Sequence, residues 1–79
     1  MTVYFKAGGE LGRRLRPDVD EYTRRVEAQP GQRLSEILAG IGVDPALVAF
    51  AIKDDQLKRL DYVPADGDVI TLQPPVSGG

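Results

Sequence analysis

The order of elements written in this chain predicts an α+β domain. A mixed sheet of four to five strands carries one main helix on one face. Three observations carry that reading. Alternation of period two brackets the chain, with Val3 and Phe5 set against Tyr4 and Lys6 near the start, and Ile70 and Leu72 against Val69, Thr71 and Gln73 near the end. Leu34, Ile37, Leu38 and Ile41 fall at i, i+3, i+4 and i+7, the stripe of one amphipathic helix. The length, 79 residues, allows a single domain. A domain of that size buries only about 60–65% of its unfolded surface, which leaves no volume for a large internal cofactor.

Each element follows in order. Thr2 to Lys6 reads as the first strand. Gly8, Gly9 and Gly12 then break the pattern, so residues 7–18 read as a loop. Tyr22 to Ala28 reads as the second strand, with Tyr22, Val26 and Ala28 on one face and Thr23, Arg25 and Glu27 on the other; Arg24 falls on the apolar face. Pro30-Gly31 ends it. The helix over Leu34–Ile41 has Gly42 as its stop, but Gln32 and Arg33 are weak caps at its start. Asp44-Pro45 opens a single further turn, with Asp as N-cap and Pro at the first position. Val48 to Lys53 reads as the third strand, with Val48, Phe50 and Ile52 inward. Asp54-Asp55 makes a turn, and Leu57 to Val63 is a short strand followed by a turn. Asp66-Gly67-Asp68 is a tight turn into the last strand, Val69 to Gln73. The helix stripe is expected to pack on Val3, Phe5, Val26, Phe50, Ile70 and Leu72.

Composition excludes several classes of function. The chain has no cysteine, so it offers no disulfide, no thiolate nucleophile and no zinc–thiolate site. It has no histidine, so the usual general base at neutral pH is missing and no Ser-His-Asp or Cys-His constellation can form. The chain therefore reads as a partner or a carried group and not as an enzyme. No apolar run approaches a membrane span, and the first residues lack a secretory pattern, so the cytoplasm is the expected location. The aspartates Asp54, Asp55, Asp61, Asp66 and Asp68 read as turn chemistry, with no metal expected. Arg13, Arg14 and Arg16, with Arg24 and Arg25, read as a solvated face or a partner contact. Interspersed acids and a net charge of −2 argue against nucleic acid. Residues 1–39 carry a net charge of +1 and residues 40–79 a net −3. The acidic, tail-bearing half hints at a basic groove on whatever receives the tail.

The chain ends Pro74-Pro75-Val76-Ser77-Gly78-Gly79. Two prolines cannot continue a ladder and force an extended exit, which divides the chain into a folded domain over 1–74 and a flexible tail over 75–79. Glycine lacks Cβ, so a Gly-Gly end can pass through a slot that any other residue would block. The Asp66-Gly67-Asp68 turn, the strand Val69-Ile70-Thr71-Leu72, and this ending together resemble the small sulfur carriers with a ubiquitin-like β-grasp fold. That family includes the small subunit of molybdopterin synthase and the thiamine-pathway sulfur carrier. The resemblance covers essentially the whole chain, and the Pro-Pro-Val-Ser-Gly-Gly ending favours the molybdopterin branch. Relatives in that branch carry aromatic residues where this chain has Lys6 and Gln73.

The resemblance implies a function. A ubiquitin-activating-type adenylyltransferase would use ATP to convert the Gly79 carboxylate to an acyl-adenylate. A sulfur donor would displace AMP to leave a thiocarboxylate, and a synthase large subunit or other acceptor enzyme would take the sulfur. No cofactor is held by the chain itself; the handle is its own terminus. Gly78, Ser77, Val76 and Pro75 would give the tail its access, and Pro75 to Gly79 could span roughly 16 Å. Tyr4, Lys6, Val69, Thr71 and Gln73 would form the partner interface on the open face of the sheet. Three alternatives stand beside molybdopterin synthesis. One is a sulfur carrier for thiamine, cysteine or tRNA thiolation. Another is a protein modifier joined to lysines through Gly79. The last is a non-catalytic interaction domain with an inert tail.

Overall fold

The computed structural model describes residues 1–76. Five strands form one sheet: β1 (Thr2–Lys6), β2 (Thr23–Glu27), β3 (Phe50–Lys53), β4 (Gln56–Lys58) and β5 (Val69–Gln73), in the spatial order β2-β1-β5-β3-β4. β1 and β5 run parallel at the centre, and the other pairings are antiparallel, so the sheet is mixed as expected. Two helices, α1 (Gly9–Leu15) and α2 (Leu34–Gly40), and a 3-10 turn (Pro45–Leu47) complete the fold. Leu11 and Leu15 of α1 and Leu34, Ile37 and Leu38 of α2 join the inner faces of the strands, Val3, Phe5, Val26, Ile70 and Leu72, in a single core.

The helix α1 lies where the glycines predict a loop. Leu11 and Leu15 are four residues apart and both buried, so they pin one helical face to the sheet. Gly12 is needed rather than merely tolerated: a Cβ there would stand 2.7 Å from the Ala7 carbonyl oxygen, so the helix can sit this low only over glycine. Arg16 ends the helix in a left-handed conformation (φ 57°), its N–H donating to the Arg13 carbonyl.

The α2 stripe is as read from sequence, and Gly42 takes the expected left-handed conformation (φ 83°) just past its end. Its start is capped from elsewhere in the chain. The carbonyls of Tyr62 and Leu60 accept from the N–H groups of Leu34 (2.9 Å) and Ser35 (3.0 Å), and the Glu36 carboxylate accepts from Arg33 N–H at 3.0 Å. These satisfy donors that the weak sequence cap leaves open. Asp44 caps the 3-10 turn as expected, accepting from Ala46 N–H at 2.9 Å.

Two strand faces differ from the expectation. In β3 the buried residue is Ala51, while Phe50 and Ile52 lie on the opposite face, half-buried. Val48 is buried, but it precedes the strand and follows the 3-10 turn, so its phase does not carry into β3. A shift of one residue sends every side chain of a strand to the other face. In β2, Tyr22 lies outside the strand and is exposed, whereas Thr23 is buried. The loop before it folds back, with the N–H groups of Asp18 and Val19 both donating to the Thr23 carbonyl. Arg24 does share the inner face with Val26. Its guanidinium donates to the Leu15 carbonyl at 3.1 Å, placing a cation at the last turn of α1.

Candidate functional site: the tail root and the open sheet face

The last strand is held from three sides, and this fixes where the chain leaves the domain. β5 pairs with β1 through Tyr4–Val69, Phe5–Ile70 and Lys6–Thr71, and with β3 through Phe50–Gln73, Ala51–Leu72 and Ile52–Thr71. Its start is clamped to β1 by the Asp66-Gly67-Asp68 turn. Thr2 N–H donates to the Asp66 carboxylate (2.7 Å), Gly67 N–H to the Thr2 carbonyl (2.7 Å) and Tyr4 N–H to the Asp68 carbonyl (2.9 Å). Gly67 holds a left-handed conformation (φ 86°) that suits glycine. Its end is closed by Ala49 N–H donating to the Gln73 carbonyl at 2.8 Å. The ladder stops there because neither Pro74 nor Pro75 has an N–H to give. Pro74, Pro75 and Val76 are exposed, Val76 by 90%. Pro75, though exposed, borders a shallow cleft with Glu10, Leu11, Arg14 and Leu47. Ser77, Gly78 and Gly79 lie outside the described residues.

Asp68 makes the strand's origin rigid. It is buried to 8% exposure and accepts from the Tyr62 hydroxyl (3.0 Å) and Ala65 N–H (2.9 Å), with the Lys53 ammonium at 3.2 Å. Burial favours its neutral form. The Ala65 N–H, the Tyr62 hydroxyl and Lys53 together outweigh that effect and hold the carboxyl below its usual range. The Tyr62 oxygen and then the Asp68 carboxylate hold the Lys53 ammonium above its own. These aspartates do structural work at the pole opposite the tail. Among the described residues no three acidic side chains converge as a metal site.

All five residues expected at the interface stand on one face of the sheet. Tyr4, Lys6, Val69, Thr71 and Gln73 alternate with the buried Val3, Phe5, Ile70 and Leu72. The structure adds three that the sequence reading missed. Phe50 is in register with Gln73 and Ile52 with Thr71, and Leu57 lies opposite Ile52 across the β3–β4 hairpin, 60% exposed. The face is therefore more apolar than the polar Lys6 and Gln73 imply: an aromatic ring is supplied by the neighbouring strand, beside Gln73. A signal for this was present. Ile52 and Leu57 are symmetric about the two-residue turn Asp54-Asp55, so a tight hairpin must pair them on one face. Beside the tail root this face dips into a depression of 480 Å³ lined by Lys6, Tyr22, Thr71, Gln73 and Pro74 together with Asp20. The N–H of Tyr22, at 2.8 Å, is the main cause holding the Asp20 carboxyl below its usual range.

With this geometry in place, likeness to known proteins is informative. The model of the ThiS family matches residues 15–79. No curated protein matches the sequence. Two solved structures superpose along their full lengths, each with complete coverage of both chains. SAMP1 from Haloferax volcanii superposes with a TM-score of 0.67 at 22% identity, which is a likeness of fold. A chain of the complex of subunits 1 and 2 of the molybdopterin-converting factor from Helicobacter pylori superposes with a TM-score of 0.56 at 29% identity. The mixed sheet with its covering helices is thus the β-grasp, ubiquitin-like arrangement.

Proposed function

The chain belongs to the ThiS family, and from that premise we propose that it is a sulfur carrier whose working group is the α-carboxylate of Gly79, serving molybdopterin synthesis. The observation that carries the proposal is a family match running through the Gly-Gly end, on a domain whose last strand is clamped at both ends and exits through Pro74-Pro75 into solvent. A carboxylate is a poor electrophile. Attack of its oxygen on the α-phosphorus of ATP, in a partner adenylyltransferase, forms an acyl-adenylate and releases pyrophosphate. Hydrosulfide delivered by a sulfur donor then adds to the acyl carbon, AMP departs, and a terminal thiocarboxylate remains. That sulfur is the nucleophile handed to an acceptor enzyme. The chain holds no cofactor in this scheme and contributes no catalytic side chain; its body positions its terminus.

The named residues divide the labour. Gly78 and Gly79 pass through the narrow entry of the activating site, Ser77 and Val76 line it, and Pro75 stands the tail off the domain. Tyr4, Lys6, Val69, Thr71 and Gln73, with Phe50, Ile52 and Leu57, meet the partner's body. The molybdopterin assignment draws support from the full-length likeness to a molybdopterin-converting factor chain and from the Pro-Pro-Val-Ser-Gly-Gly ending. The test is intact-mass measurement after incubation with an activating enzyme, ATP and a sulfur donor. The proposal expects one oxygen replaced by sulfur at the terminus, and no change for a chain lacking Gly79. Tail adducts on lysines would instead mark a protein modifier.

A further inference from the structure

A second surface, on the helical side of the tail root, is not used by this scheme. Arg13, Arg14 and Arg16 line a groove of 520 Å³ whose floor includes Ile41, Val43 and Leu47. Its charges are unbalanced. Arg13 and Arg14 share one carboxylate, Glu10, at 3.9 and 3.6 Å, in exposed pairs that hold little energy in water. Arg16, exposed just past the end of α1, makes no ion pair among the described residues. The other acid in the groove, Asp44, keeps its charge while it caps the 3-10 turn, so three arginines stand against two carboxylates and one net positive charge remains. The groove shares Glu10, Arg14 and Leu47 with an apolar cleft of 120 Å³ that reaches Pro74 and Pro75. Of the acids of the C-terminal half, Asp44 lines this groove, whereas Asp54, Asp55, Asp66 and Asp68 gather where β5 begins, at the pole opposite the exit. The expectation of a basic receiving groove, drawn from the acidic second half, therefore reverses on this side.

We propose that this groove docks an acidic, partly apolar segment of a second protein partner, seated against the tail root while the open sheet face is held by the first. Guanidinium forks suit paired carboxylates, and the Ile41–Leu47 floor suits an apolar side chain between them. The groove lies on the helical layer and the interface residues on the open face, so both can be filled at once. Resting on the sulfur-carrier reading, the occupant would be the donor that must reach Gly79 while the activating enzyme still holds the chain.

The test is a backbone-amide NMR titration of the full chain with a short synthetic peptide of repeated Glu-Glu-Leu triplets. Shifts are expected in α1 and over Ile41–Leu47, fading with added salt, with Tyr4 and Thr71 unmoved. The double variant Arg13→Glu/Arg14→Glu, both exposed and so compatible with folding, should weaken binding by about tenfold or more. Absence of shifts, shifts centred on the open face, or an equal response to a Lys-Lys-Leu peptide would overturn the proposal. Equal binding of inorganic phosphate or a single-stranded oligonucleotide would overturn the choice of a protein segment. The titration requires no thiocarboxylate, so its outcome is separate from that of the mass measurement. In a reconstituted reaction the same double variant should slow sulfur incorporation while leaving adenylate formation at the parent rate.

Discussion

Replacing Gly12 with alanine isolates the close approach that seats α1. In an ordinary helix interior Gly→Ala stabilises by about 0.5–1 kcal/mol, because glycine surrenders more backbone freedom on folding. Here the new Cβ would meet the Ala7 carbonyl oxygen at 2.7 Å, and ordinary contact begins near 3.4 Å. The obstacle is backbone, so relief requires α1 to lift by about 0.7 Å from a sheet that Leu11 and Leu15 are buried against. Such overpacking costs about 1–3 kcal/mol, which equals or exceeds the helical gain and leaves a net loss of up to about 2.5 kcal/mol. At about 4–8 °C per kcal/mol for a domain of this size, Tm should fall by up to about 10–20 °C. Gly40→Ala is the matched control. Gly40 is also helical, but nothing stands within 4 Å of its added Cβ and its φ is not left-handed. That variant should gain about 0.4–1 kcal/mol. Thermal melts and urea titrations of the two side by side give the sign directly. If Gly12→Ala proved as stable as Gly40→Ala, the packing of α1 on Ala7 would be wrong.

Other perturbations have equally definite signs. Asp54 and Asp55 both adopt left-handed conformations (φ 51° and 63°) in the β3–β4 turn, so Asp54→Asn with Asp55→Gly should stabilise by about 1 kcal/mol, read as a raised urea midpoint. Asp68→Asn removes the anion from the Tyr62–Lys53 network and should cost about 1–3 kcal/mol. Because the folded Asp68 carboxyl is held below its unfolded value, its contribution is fully present above about pH 4 and is lost as pH falls through the folded value. The parent's acid limb should therefore be steeper than that of Asp68→Asn, and parallel limbs would count against the network. Val69→Asp places a charge amid the open face at a half-exposed position; stability should change by about 1 kcal/mol or less, while affinity for the activating enzyme should drop by about tenfold or more in a pull-down or kinetic assay. Gly78→Ala should bind that enzyme as the parent does but form adenylate more slowly, since only the added Cβ differs, and equal rates would remove the case for a narrow slot.

Much of the site was legible along the chain. Strand alternation put Ile70 and Leu72 inward and Val69, Thr71 and Gln73 outward, and the structure keeps that division. The α2 stripe, the Asp44-Pro45 turn, the Asp66-Gly67-Asp68 turn and the proline exit were likewise local. What failed was non-local. Val48 sets a phase that points Phe50 and Ile52 inward, but their face is fixed by pairing with β5 and by the hairpin to β4. Glycines read as breakers hid α1, since a buried close approach and a flexible loop use the same residue. The cap of α2 is made by carbonyls of residues 60 and 62, which no window around Arg33 contains.

The sequence alone therefore determined what can be written in nearest neighbours and short periods: strand faces at both ends of the chain, one helical stripe, turn chemistry, a composition without cysteine or histidine, and Gly-Gly behind two prolines. Tertiary structure decided which surfaces face together. It gathered Asp54, Asp55, Asp66 and Asp68 at the far pole and arginines beside the tail root, and it supplied an aromatic ring to the open face from a neighbouring strand. The physical reason is that periodicity and propensity act over a few bonds, whereas charge and shape at a site depend on distances that only the folded chain sets.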